Sequence, residues 1–276
     1  MSTYIAKFEC KSKVLGNISL FGILKGNGEN GYQISRLVKN HLISYFEKSQ
    51  DIQASINKDN YYTILSNAYL ETQQYIKDSI SKKMDCNFSG TTCLLLLFPN
   101  DSTHKIYCAN SGNSKCVLYS LTSNVPLSYQ HYPIIYSEKE RILKNGGFYF
   151  NDIGDSSKSN LIFKKEGIDI NGFNISRILG NFFWNDIGVI PDPEIIECNL
   201  NKEDTKFIIL GSDSLWKYLT NEQVGEIVLK YYEENNLFGA CKDLEESARL
   251  KWRKYGKEID DMTIIVIFFH WKKFKS

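Results

Sequence analysis

A chain of 276 residues, 42% hydrophobic and 13% aromatic, is long enough to bury a substantial core, and one domain spanning residues 1–276 is expected. Its 33 Lys and Arg offset 32 Asp and Glu for a formal net charge of +1, which argues against a polyanion-binding surface, so nucleic acid is not an expected partner. The longest apolar runs, CLLLLF and IIVIFF, are too short to cross a bilayer, and the first sixteen residues lack a continuous apolar core. No membrane insertion and a cytoplasmic or nuclear location are therefore expected.

In chain order, NISLFGIL reads as a buried strand running into the turn KGNGENG. Ile34, Leu37, Val38, Leu42 and Tyr45 then recur at helical spacing. Ile52 to Met84 contains a second long helix, with Tyr61, Ile64, Leu65, Ala68, Tyr75, Ile76 and Ile80 on one stripe. TTCLLLLF, HKIYCANS and KCVLYSL are separated by turn residues and read as an antiparallel meander, the first of them apolar on both faces. Ser137 to Asn145 reads as a short helix closed by Gly146 and Gly147. Residues 150–172 read as a polar surface excursion. EIIECNL and TKFIILGS follow as strands, Asn221 to Tyr232 and Phe238 to Tyr255 as helices, and MTIIVIFFHW as a closing strand. Seven cysteines form no CxxC pair and no zinc-like grouping, so reduced thiols are expected. The glycines of the first turn form no nucleotide fingerprint.

Several segments, in order, resemble the type 2C, metal-dependent protein Ser/Thr phosphatases. FGILKGNGENGYQISRLVKNHL is similar to the family's FGVFDGHGG-plus-helix signature, and SGTTCLLLL to its SGSTA strand. IYCANSGNSKCVLYS resembles its LYVANVGDSRAVL hairpin, PLSYQHYPIIYSEKERILKNGGF its LSxDHKP and ExxR elements, and ISRILGNFFW its SRAFGD. KFIILGSDSLWKYLTNEQV is similar to FLILASDGLWDVLSNEEA, and DDMTIIVIFF to DNITVIVV. The likeness runs over roughly residues 18–270. It implies an α+β fold, a four-layer α-β-β-α sandwich of two central antiparallel sheets flanked by helices.

The resemblance also implies a chemistry. In the family the aspartate of DGHG bridges two divalent cations, the following Gly lends its carbonyl, and aspartates of the ASDG and DNIT motifs complete one metal's shell. Such a pair clamps the water that attacks phosphorus. Carried over residue by residue, the bridging position is Lys25, the carbonyl position Gly26 and the acid position Asn27. The aspartate of GDSR becomes Asn113, that of SRAFGD Asn181, that of DHKP Gln130, and the last of DGLWD Lys217. Asp213 and Asp260 remain as remnant ligands. Glu9 in KFEC is a candidate for the acidic ligand of the first strand, whereas no phosphate-binding Arg stands near Ile5.

An ammonium at the bridging position opposes two dications, and an amide donates no titratable proton near neutral pH. Two carboxylates about 4 Å apart repel by roughly 4 kcal/mol at an effective dielectric near 20, so a neutralising group is required, and Lys25 is placed to supply it. Asp213, standing before SLWKYL, also has a bland reading as a helix N-cap. Glu138, Arg141 and Arg177 read as structural ties, and His131 as a structural residue. The leading expectation is a catalytically impaired relative, a pseudophosphatase that binds a protein partner in phosphorylation signalling and has no catalytic residue and no cofactor. The alternative is a weak phosphatase using Mg or Mn. Partner identity, binding face and oligomeric state are left open.

Overall fold

The computed structural model of the protein describes residues 1–12, 15–48, 61–149, 162–164 and 172–271. Two antiparallel sheets pack face to face. The first has seven strands: β1 (Ser2–Ser12), β2 (Gly16–Asn27), β3 (Gly90–Thr91), β4 (Cys93–Pro99), β5 (Lys105–Ser111), β10 (Leu179–Gly180) and β11 (Glu194–Asn199). The second runs in the order β13 (Ile264–Phe268), β12 (Thr205–Gly211), β6 (Lys115–Ser120), β7 (Asn124–Pro126). A small hairpin of β8 (Gly147–Tyr149) and β9 (Ile162–Lys164) stands apart from both.

Burial follows from pattern. Cys93 to Leu97 of β4 are all buried, because this central strand faces the other sheet on one side and helices on the other. Phe21, Ile23, Leu94, Leu96, Cys108, Cys116, Leu118, Ile208 and Leu210 fill the space between the sheets. Helices α1 (Gly31–Lys48) and α2 (Tyr61–Tyr75) cover the first sheet through Ile34, Val38, Leu42, Leu65 and Tyr69. Helices α5 (Asn221–Tyr232) and α6 (Leu237–Lys254) cover the second through Val224, Val228, Ala240 and Leu244, and α4 (Asp213–Trp216) joins them through Leu215. The four layers are those that the resemblance implies.

Two sequence-based expectations are corrected. The supposed meander is split: β4 and β5 pair, but the chain turns at Gly112 (φ +135°) and β6 joins the opposite sheet. A Cβ on Gly112 would lie 2.4 Å from the Thr92 Cβ, so only glycine makes that crossing. The second helix keeps α-helical form only to Tyr75, continues as one π-helical turn over Ile76–Ile80, and has ended before Met84, while its expected start before Tyr61 lies outside the described residues. Most of the expected excursion at 150–172 also lies outside them. The short helix α3 spans Tyr136–Lys144. Its Glu138 is buried and takes bidentate hydrogen bonds from Arg141 (2.8 and 2.7 Å) and further ones from Arg177 and Ser176. Burial opposes its charge, but those donors outweigh burial and hold the carboxyl well below the usual carboxylate range. Expected as a structural tie, this cluster is one.

Candidate functional site

The site lies where β2 ends over the start of α4. Strand β2 does not stop before the glycines; it continues to Asn27, so Lys25 is a strand residue, with its amide 3.3 Å from the Thr92 Oγ1 and its carbonyl accepting from the Thr92 amide at 3.0 Å. Gly26 is compelled by crowding: a Cβ there would sit 2.4 Å from the Gly31 carbonyl oxygen at the start of α1. The strand end and the helix start are thereby pressed together, which aims Lys25 across the sandwich.

Its ammonium crosses to the second sheet. Lys25 Nζ lies 2.5 Å from Asp213 Oδ1, 2.5 Å from Asp260 Oδ2 and 3.2 Å from Ser214 Oγ. Asp213 is the first residue of α4 and Asp260 lies just ahead of β13, so one lysine joins β2 to the two ends of the other sheet's elements. The side chain of Lys25 is only 14% exposed, against 22% for Asp213 and 48% for Asp260. Burial by itself would lower the amine's pKa, yet the charge and hydrogen bond of Asp213, with those of Asp260, raise it above the ordinary value. For Asp260, burial pushes the pKa up and the Lys25 hydrogen bond and charge overcome that, leaving it lowered. Lys25 thus sits in a part-buried ion triad with Asp213 and Asp260, between the two carboxylates it was expected to neutralise. The N-cap reading of Asp213 is corrected: Ser212 holds the cap position, and the Asp213 carboxylate turns to Lys25.

The remaining positions divide. Asn113 joins the cluster, donating from Nδ2 to Asp213 Oδ2 at 3.3 Å, and Gln130 donates to the Asn113 carbonyl at 2.7 Å from behind. Asn27 and Asn181 face each other at 3.5 Å, Asn181 holding a left-handed backbone (φ 50°). Gly26, Asn27, Lys25, Asn113, Asp213 and Asp260 all line a cleft of about 310 Å³. Lys217 does not: its ammonium sits 4.8 Å over the Trp252 ring, against α6. Glu9 does not either. The residue of β1 opposite Lys25 is Ser2, and Glu9 is exposed in the bulge between Lys7 and Cys10, at the far end of the strand. Sequence reasoning passed over Ser214, which donates to the Asp261 carbonyl at 2.7 Å while accepting from Lys25, and Thr92; for Ser214 the signal available was a hydroxyl directly after the retained Asp213. His131 accepts at Nδ1 from the Gly112 amide, a structural contact as expected.

The donor set does not fit a pair of divalent cations. Two carboxylates converge with a cation already between them, and among the described residues no three His, Cys, Asp or Glu side chains gather as ligands.

A two-sheet sandwich with helices outside, and a cleft between strand ends at one edge, defines the architecture of metal-dependent phosphatases of the 2C type. The family model "Protein phosphatase 2C" matches residues 2–255, and the chain belongs to that family. It is 27% identical over 271 residues to "Probable protein phosphatase 2C 73" of Arabidopsis thaliana, covering 90% of this chain and 70% of that one. It is 31% identical over 259 residues to "Protein phosphatase 1L" of Bos taurus, covering 91% of this chain but only 64% of the bovine protein. Among solved structures, serine-threonine phosphatase 2C from Toxoplasma gondii matches with a TM-score of 0.72 at 15% identity, over 98% of this chain and 94% of that one. A C. elegans sex determining protein matches with a TM-score of 0.65 at 16% identity, over 97% of this chain and 64% of that one.

Proposed function

We propose that this chain is a catalytically impaired member of the family, a pseudophosphatase that serves as a protein-binding module in phosphorylation signalling. One observation carries the reading: the Lys25 ammonium has three protons, and Asp213, Asp260 and Ser214 supply three acceptors. An amine in that state has no lone pair to act as a base and no proton left to bind a phosphoryl oxygen. The triad also carries two negative charges against one positive, so its surplus repels a phosphate dianion instead of attracting it. Asn27 at the acid position offers an amide that cannot protonate a leaving group near neutral pH.

A second reading is favoured by the relatives, which are named as protein phosphatases: a weak Mg- or Mn-dependent Ser/Thr phosphatase that uses Asp213 and Asp260 with a single cation. Against it stands the loss of the bridging ligand, since electrostatic stabilisation of the transition state supplies much of the acceleration in such sites. Hydrolysis of an aryl phosphate in millimolar manganese separates the two. The first reading expects no turnover above background in the wild type or in Asp213→Ala; turnover that disappears in Asp213→Ala would establish the second.

A further inference from the structure

The cleft at the end of β2 has more acceptors than donors to fill them. Lys25 supplies one positive charge to its wall and Asp213 and Asp260 supply two negative ones, while the Met1 amine at the rim is taken up by Asp261 at 3.0 Å. A surplus of one negative charge therefore faces the cleft. The three Lys25 protons are committed to Asp213, Asp260 and Ser214, so no part of that cation is left over for a ligand.

The carboxylates keep open positions. Asp213 Oδ1 takes Lys25, and its Oδ2 takes one long bond from Asn113 Nδ2 at 3.3 Å. Asp260 Oδ2 takes Lys25, and its Oδ1 takes the Asp261 amide at 2.7 Å. A carboxylate offers about four lone-pair sites, so each outer oxygen has room for a further donor. Asn113 gives a separate indication. It lines the cleft and is only 4% exposed, yet its Oδ1 receives no hydrogen bond among the described residues. A buried amide oxygen is costly to leave bare, and one in the wall of a cleft calls for a donor from outside the chain.

We propose that the cleft binds a guanidinium group, the head of an arginine side chain carried by the partner protein. A guanidinium is a flat cation with five N–H donors and no acceptor. Its donors match the open oxygens of Asp213 and Asp260 and the bare oxygen of Asn113, and its charge cancels the surplus. The alternatives fit less well: an ammonium is a compact, strongly hydrated centre with three donors, and a divalent ion brings two positive charges up against Lys25. A cleft of about 310 Å³ is at the small end of the range for ligand pockets, which suits one side-chain head. The source of the arginine rests on the protein-binding reading above; the chemistry of the site does not.

The probe is N-acetylarginine amide, titrated calorimetrically into the full chain in buffer without divalent metal. Saturable one-to-one binding is expected, about tenfold or more tighter than that of N-acetyllysine amide or the uncharged citrulline analogue. Asp260→Asn cancels the surplus charge at the more exposed aspartate and should weaken binding by about tenfold, and Asn113→Ala should weaken it several-fold. Lys25→Met raises the surplus from one charge to two and should tighten binding by about tenfold, a change of sign that damage to the fold does not produce. Absence of saturation, a citrulline or lysine probe that binds as tightly as arginine, wild-type affinity in both Asp260→Asn and Asn113→Ala, or weaker binding in Lys25→Met overturns the proposal. Free L-arginine binding more tightly than the capped form overturns the protein source, in favour of the free amino acid. Hydrolysis of aryl phosphate in manganese is scored apart from this titration, so failure of the impaired-enzyme reading and failure of the guanidinium site are distinguishable.

Discussion

Replacing Lys25 with methionine keeps the bulk of the side chain and removes its charge. The Asp213 and Asp260 oxygens are each 2.5 Å from the nitrogen, so they lie no more than about 5 Å apart. Two bare carboxylates at that separation repel by about 3 kcal/mol at an effective dielectric near 20. Asp260 is 48% exposed, so solvent screening reduces this, and a net loss of about 1.5–3 kcal/mol is expected for Lys25→Met. For a chain of this size that corresponds to a fall in Tm of roughly 3–10 °C. The pH dependence has a definite sign. Asp260 titrates in the folded state below its ordinary 3.8, so its contribution is present above 3.8 and is lost as pH falls through the lower folded value. Lys25 titrates above its ordinary 10.5, so its contribution is complete below 10.5 and is lost as pH rises through the higher folded value. Circular dichroism melts of wild type and variant should therefore differ by a constant amount between about pH 5 and pH 9 and converge at both extremes. A Tm difference under a degree at pH 7 would refute the claim that the ammonium neutralises the pair.

Other outcomes follow from the same geometry. Glu138→Gln leaves Arg141 and Arg177 facing each other without a buried counter-charge and should cost about 3–5 kcal/mol in urea titrations at pH 7. Because the Glu138 carboxyl is held below its ordinary 4.5, its contribution is present above that value and disappears on acidification through the lower folded value, so wild type and variant should converge in acid denaturation. Gly26→Ala places a Cβ 2.4 Å from a main-chain oxygen that has no room to move, and soluble yield and Tm should both fall sharply. Lys25→Asp should not produce aryl phosphate hydrolysis in manganese, since Asn27 still offers an amide at the acid position; a strong gain in turnover would mean that the charge at residue 25 is the sole defect.

The amino-acid pattern carried the individual strands and helices, while the four layers and the identity of the altered positions came from the resemblance of the ordered motifs to the type 2C phosphatases. Apolar runs on both faces of β4, helical stripes in α1 and α2, and collinear Gly, Arg and Trp landmarks are local or ordered along the chain, so they can be read without coordinates. The charge reversal at Lys25 beside the retained Asp213 and Asp260 was legible for the same reason. What the linear order leaves undecided is how distant residues meet. Lys217 lies four residues from Asp213, yet the turn of α4 swings it onto Trp252, whereas Asn113, a hundred residues away, reaches the Asp213 carboxylate. Glu9 had the right chemistry but the wrong register: antiparallel pairing of β1 with β2 sets Ser2 opposite Lys25 and sends Glu9 to the far end. The crossing of the chain at Gly112, which parts β6 from β5, arises from the packing of two sheets. That packing depends on sterics between residues far apart in sequence, and only the assembled sandwich expresses it.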